Sequence, residues 1–176
     1  MKPTLIVICG CPHVGKAKWA KVIQESHKNC VTVSESNIRY AMFGNSPDGF
    51  KHIDDVRKRY YTAVNASLKN YDYVIANATN ITCDERDKLF KSLNVDVEKI
   101  IGVWIETPMK VAIARNNISE VKHLPQNEIE WCYSNKVSPQ EDEPFDDIIF
   151  VSDDANLAIG KKRVQILPIV KKLEEI

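Results

Sequence analysis

A chain of 176 residues fits one domain with a sizeable core. Its 24 Lys and Arg balance 24 Asp and Glu, so the net charge of zero argues against a general nucleic-acid coat and leaves room for a local basic groove. The composition, 44% hydrophobic and 27% charged, is that of a globular protein; no apolar run is long enough to span a membrane, and no signal-peptide core follows Met1-Lys2-Pro3.

In chain order, the apolar run Leu5-Ile6-Val7-Ile8-Cys9 predicts a buried strand over 4–9. A helix follows through 18–23, with Trp19, Val22 and Ile23 on one face. A short strand over 30–33 leads into a polar turn, Ser34-Glu35-Ser36-Asn37, and a helix over 38–43. Residues 44–49 read as a loop from their Gly, Asn, Ser and Pro content. A long helix over 53–69 would turn Val56, Tyr60, Val64 and Leu68 inward. Strands are expected over 71–76, 100–105 and 147–151, and helices over 84–93, 108–116, 127–135 and near the tail end. Alternating strands and helices with continuous apolar strands mean a parallel sheet covered on both faces. Ligands of such sheets sit beyond the carboxyl ends of the strands, where the loop 10–16, the turn 34–37 and the segment 77–80 should converge.

The five cysteines, Cys9, Cys11, Cys30, Cys83 and Cys132, are odd in number and never spaced as pairs. They read as reduced thiols of a cytoplasmic protein, with no zinc site and no other metal ligand set. His27, His52 and His123 lack partner spacing and read as surface or core histidines.

Gly10-Cys11-Pro12-His13-Val14-Gly15-Lys16 fits G-x-x-x-x-G-K between a strand and a helix. Glycines at both ends let backbone N–H groups cradle an anion, the helix start adds its positive dipole end, and Lys16 reaches the outer phosphates. Residues 10–18 are therefore expected to hold ATP or another nucleotide. A working loop continues with Ser or Thr, whose hydroxyl binds Mg²⁺. This chain has Ala17 and then Lys18, so Mg²⁺ loses its protein oxygen, and Lys18 could stand in the ion's place as a fixed positive charge.

Cys9-Gly10-Cys11-Pro12, Gly15-Lys16 and Trp19-Ala20 together resemble the opening of the bacteriophage polynucleotide kinase family, P-loop kinases that phosphorylate 5′-hydroxyl ends of nucleic acid. Ser34-Glu35-Ser36-Asn37-Ile38-Arg39, Asn77-Ala78-Thr79-Asn80, Thr107-Pro108 with Arg115-Asn116, and Pro144-Phe145-Asp146-Asp147-Ile148 are similar to later segments of that family, in the same order. The resemblance runs from Lys2 to Val151. It implies a three-layer α/β P-loop NTPase kinase fold over 1–151, a helical lid over about 119–135, and an extension, 152–176, packing on the core. It also implies phosphate-handling roles for Lys16 and Arg115. Arg39 would hold an acceptor phosphate, with Thr79, Asn80 and Arg86 beside it.

The departures fall on the chemistry. Position 13 is normally Gly and carries His13; the magnesium serine is Ala17; the general base, an Asp, is Ser36. Glu35 is one residue away, but in an extended segment it would face the opposite side. The acid of Asp-x-Thr-Asn is Asn77, and the lid arginine falls near Ser119. General-base loss costs about 10²–10⁴-fold, and loss of a catalytic arginine a further ~10³–10⁵. Drift of each position in an active enzyme explains five such changes poorly, because they fall on one function.

The leading expectation is a degenerate relative that binds a nucleotide or a single-stranded nucleic-acid end and transfers phosphate weakly or not at all. An active ATP-dependent kinase of polynucleotide 5′-hydroxyls or small molecules stands as the alternative. A protein-interaction module with a relic loop is a further one, docking a protein partner through Ile166, Leu167, Ile169, Val170 and Leu173, although covering the chain's own sheet suits that tail better. The cluster Arg57-Lys58-Arg59-Tyr60-Tyr61 fits either a single-strand site or a solvated helix face with Tyr60 in the core.

Overall fold

A computed structural model describes residues 2–46, 48–120 and 123–152. Pro47 and the tail, with its apolar residues Ile166 to Leu173, lie outside the described residues, as does the expected extension beyond Ser152.

Five parallel strands form one sheet in the order β2-β3-β1-β4-β5. They are β1 (Thr4–Cys9), β2 (Cys30–Ser34), β3 (Tyr73–Asn77), β4 (Lys99–Glu106) and β5 (Asp147–Ser152). The fully buried β1 is central, pairing Ile6 with Ile75 of β3 and with Ile101 of β4. Side chains alternate across it. Ile6 and Ile8 meet Trp19 and Ile23 of helix α1 (Lys16–Ser26) on one face. Leu5 and Val7 meet Tyr60, Val64 and Leu68 of α4 (Ile53–Leu68) and Leu89 of α5 (Cys83–Ser92) on the other. The result is the expected three-layer α/β architecture. Tyr60 is core and Lys58 and Arg59 are exposed, which matches the plainer reading of that cluster.

Two stretches differ from expectation. The polar turn after β2 is already helical: α2 runs Glu35–Phe43, and the Ser34 hydroxyl accepts from the Asn37 N–H at 3.3 Å. Serine at the position before a helix satisfies an N–H with no intrahelical partner, so the helix starts there rather than at Ile38. The expected loop after it contains a one-turn helix, α3 (Asp48–Lys51), with the Asp48 N–H on the Ser46 hydroxyl and Lys51 on the Asp48 carboxylate at 3.0 Å. Gly49 of α3 lies under the Arg39 side chain, where a Cβ would come within 2.9 Å of the arginine stem.

The remaining helices are α6 (Met109–Asn117) and α7 (Gln126–Asn135). α7 carries most of the expected lid, and Ile129 packs with Leu124 against Ala112 of α6. The Asn116 amide donates to the Leu124 carbonyl at 2.9 Å and accepts its N–H at 2.8 Å. The Tyr133 hydroxyl donates to the Thr107 carbonyl at 2.6 Å. Among the described residues, no helix is long and apolar enough to cross a membrane.

Candidate nucleotide and acceptor cavity

At the carboxyl end of the sheet a cavity of about 560 Å³ brings together the three segments expected to converge. Pro12, His13, Gly15 and Lys16 come from the phosphate loop, Glu35, Ser36 and Arg39 from α2, and Asn77, Ala78 and Thr79 from the end of β3. The register explains the meeting, since Asn77 is paired with Ile8 on one side and Ser34 on the other. Ala17, Lys18, Arg115 and Leu124 line it too, with Phe50 of α3 and Ile53 of α4.

Backbone geometry shapes the loop. Gly10 at φ 156 and Gly15 at φ 99 take conformations that favour glycine, and a Cβ on Gly10 would lie 2.8 Å from the Ile105 carbonyl oxygen. The Gly10 N–H donates to the Thr79 carbonyl at 2.8 Å, tying the loop to β3. The Thr107 hydroxyl donates to the Val14 carbonyl at 3.2 Å, and the Arg115 guanidinium to the His13 carbonyl at 3.1 Å. His13 itself sits at φ 61, a left-handed position that explains why a glycine suits it. Cys11 and Val14 are buried beneath the loop, so only their backbone could face a ligand.

Lys16 folds over the loop, donating to the Gly10 carbonyl at 2.9 Å and the Cys11 carbonyl at 2.7 Å. An ammonium has three donors, and these bonds take two. Burial pulls its pKa down to about 8, against the opposite pull of Cys11, Cys132 and Glu35. Lys18, offered above as a stand-in for a metal, places its ammonium 5.3 Å over the Trp19 ring.

The donor set fits the phosphates of a nucleotide: a cation at Lys16, further cations at Lys18, Arg39 and Arg115, and the backbone of a glycine loop. It does not fit a protein-bound magnesium ion as well. Ala17 has no oxygen, Asn77 offers an uncharged amide, and among the described residues no group of three His, Cys, Asp or Glu could hold a metal. Ser36 lies on the lining with its hydroxyl 3.2 Å from that of Ser34. Ser119 follows α6 and is not on the lining.

Two residues expected beside an acceptor are buried and bonded within the fold. Arg86 is fully buried, with Nε 2.6 Å from Glu143 Oε2 and Nη2 2.7 Å from Oε1. Its other donors go to the carbonyls of Asn80, Val137 and Ser138. A guanidinium bonded this way staples the segment before β5 to the body of the fold, and it is not on the cavity lining. Asn80 is buried as well, at φ 46, and its amide donates to the Ile8 carbonyl at 2.9 Å. Thr79 and Arg39 do reach the cavity.

Glu35 is the residue the sequence reading passed over. Because α2 begins at position 35, Glu35 and Ser36 are consecutive helical residues, about 100° apart on a helix rather than opposed across a strand, and both line the cavity. Glu35 lies 4.0 Å from Arg57, and burial pushes its carboxyl up against the pull of Arg57. Phe50 lies just past the stretch expected as a loop, and the Arg39 guanidinium sits over its ring, 4.3 Å from the centroid.

Among solved structures, Kti12 from Chaetomium thermophilum in complex with ADP-AlF3 is similar at a TM-score of 0.73 and 16% identity, covering 97% of each chain. A gluconokinase from Sinorhizobium meliloti 1021 matches at 0.62 and 16%, over 99% of this chain and 95% of that one. A fungal RNA kinase matches at 0.64 and 14%, over 98% and 85%. These likenesses show a shared P-loop kinase fold. No curated protein matches the sequence. A family model described as an AAA domain (AAA_33) matches residues 5–129, well over half of the chain, and the chain belongs to that family of P-loop kinase-like domains.

Proposed function

We propose that the chain is a nucleotide-binding relative of the polynucleotide kinases, with a degenerate active site, that binds a single-stranded nucleic-acid end and transfers phosphate weakly or not at all. The observation that carries this reading is the cavity itself. Its anion-binding half is intact at Gly10, Gly15 and Lys16, while the positions facing the reacting atoms hold Ala17, Ser36 and Asn77. The loop backbone and Lys16 would hold the nucleotide's phosphates, Arg115 would steady the loop from α6, and Arg39 with Thr79 would face the acceptor. The likeness to a fungal RNA kinase supports an acceptor of this class, as does the order of the resembling segments. Bound Mg²⁺ would be held by the nucleotide rather than by the protein. Its chemistry, screening the phosphate charges, would fall in part to Lys16 and Arg115.

A second reading, an active ATP-dependent kinase of a 5′-hydroxyl polynucleotide or a small molecule, is favoured by one observation: a carboxylate, Glu35, faces the cavity beside the lost base.

Thermal stability with ATP, with and without Mg²⁺, beside Lys16→Ala, separates these. Ligand at 100 times its dissociation constant should stabilise by about 2.7 kcal/mol. A shift indifferent to Mg²⁺ and lost in Lys16→Ala supports the degenerate reading. Clear Mg²⁺-dependent transfer to a 5′-hydroxyl oligonucleotide would replace it with the active kinase, and no shift with ATP would refute nucleotide binding.

A further inference from the structure

The cavity is lined for anions, by Lys16, Lys18, Arg39 and Arg115, yet one lining residue carries a carboxylate. The Glu35 side chain is only 16% exposed. Its nearest cation is Arg57 of α4, whose Nε stands 4.0 Å from Oε2, too far for a hydrogen bond. Arg57 is committed elsewhere: its Nη2 donates to Glu85 at 2.9 Å, and the other Glu85 oxygen accepts the Ile81 N–H at 2.9 Å. Among the described residues no hydrogen bond ends on the Glu35 carboxylate. A nearly buried carboxylate with no hydrogen-bond donor from the described residues, turned to a cavity, suits a donor that enters that cavity.

An incoming phosphate cannot be that donor, since it brings only negative charge. A hydroxyl can, because an ionised carboxylate is an acceptor-only group. Glu35 also stands one residue from Ser36 and one helical turn from Arg39, on the face where the acceptor would enter. The helix-start role open to any acidic residue in a first turn would be met equally well by an exposed side chain, and Glu35 is not exposed.

We propose that Glu35 determines acceptor specificity: its carboxylate takes a hydrogen bond from the acceptor hydroxyl and repels an end that already carries a phosphate. This rests on the reading of the cavity as a site for a nucleic-acid end.

The test is fluorescence anisotropy with one short single-stranded oligodeoxynucleotide, labelled at its 3′ end, bearing either a 5′-hydroxyl or a 5′-phosphate. Saturating ADP keeps the phosphate loop filled. The wild-type chain should bind the hydroxyl end about tenfold tighter, a difference of about 1.4 kcal/mol. In Glu35→Gln the preference should shrink to about twofold, with the phosphorylated end gaining affinity, and Glu35→Asp should keep part of it. A residue that merely supported the fold would lower both affinities together. Equal binding by the wild type, a preference for the phosphate end, or an undiminished preference in Glu35→Gln overturns the proposal. Thermal stabilisation by ADP, measured on all three proteins, keeps the two readings apart. Stabilisation without binding of either oligonucleotide refutes the acceptor class and this inference while nucleotide binding stands, and no stabilisation of the wild type refutes nucleotide binding and this inference with it.

Discussion

Replacing Arg86 with alanine distinguishes a structural arginine from an acceptor contact. In the fold its guanidinium is 0% exposed and makes two short bonds to Glu143 plus bonds to three backbone carbonyls. Truncation leaves the Glu143 carboxylate, itself only 11% exposed, with the Gln140 N–H at 2.8 Å as its remaining strong donor. It also strips a donor from the carbonyls of Asn80, Val137 and Ser138. Breaking a buried pair by removing one partner costs about 3–5 kcal/mol. For a chain of this length each kcal/mol moves the melting temperature by roughly 2–4 °C, so Arg86→Ala should melt about 6–20 °C lower. Glu143→Gln keeps the shape and several bonds, and should lose less.

The acid side supplies a second readout. Burial pushes the Glu143 carboxyl up, but the Arg86 bonds outweigh it and hold it below the ordinary 4.5, while the same pairing raises Arg86 against its own burial. A depressed carboxyl stabilises the fold above its unfolded pKa, and that stability is lost as pH falls from about 4.5 through the lower folded value. Urea titrations at pH 7 and pH 4 should therefore show the gap between wild type and Arg86→Ala narrowing at the lower pH. An Arg86→Ala protein within about 1 kcal/mol of wild type at pH 7, yet unable to bind a single-stranded oligonucleotide, would refute the assignment and return Arg86 to the acceptor site.

Lys16, at about 8 folded against 10.5 ordinarily, is protonated less readily in the fold than in the unfolded chain. Between those values the unfolded state binds more protons, so this group makes stability rise with pH, and denaturant midpoints should show a rise that Lys16→Met lacks. Nucleotide binding should move the other way, with ATP affinity by calorimetry falling about tenfold per unit above pH 8 as the lysine discharges. Ala17→Ser restores an oxygen on the lining. It should make ATP affinity Mg²⁺-dependent and raise it by about tenfold in Mg²⁺, the scale of one charge-assisted contact. Gly10→Ala drives a Cβ to 2.8 Å from the Ile105 carbonyl oxygen, so the loop must shift and ADP stabilisation should disappear even if the core still folds.

Much of this fold could be read from local pattern because its strongest elements are periodic. The run Leu5 to Cys9 has no polar interruption, and it became the fully buried central strand. The glycine loop lay between a strand and a helix in sequence, and that context fixes where an anion would sit. The failures share a different cause. Glu35 was assigned to the wrong side because 34–37 was read as extended, although a serine followed by an acidic residue is a helix-start signal, and Ser34 does cap α2. Arg86 looked like an acceptor contact because it follows Asn77 to Asn80, and nothing near it in sequence announces Glu143, 57 residues later. Asn80 sits in a left-handed conformation that a propensity argument does not foresee. Pairings across the chain and single unusual dihedrals leave no periodic trace.

On the proposed reading, the tethers of the phosphate loop explain how binding could outlast chemistry. The loop is held by the Gly10 N–H on Thr79, by Lys16 on the Gly10 and Cys11 carbonyls, by Thr107 on Val14 and by Arg115 on His13. None of these bonds uses the side chain of Ala17, Ser36, Asn77 or Ser119. Residues that act on the reacting atoms could therefore change one by one without loosening the cradle, whereas a change at Gly10 or Lys16 would undo it. On the proposed reading, selection for nucleotide binding alone would preserve the anion site, with its four lining cations, beside Ala17, Ser36 and Asn77. Glu35 is the one carboxylate on that lining, and for that reason it is the position whose substitution says most about whether the cavity discriminates between acceptor ends, as proposed.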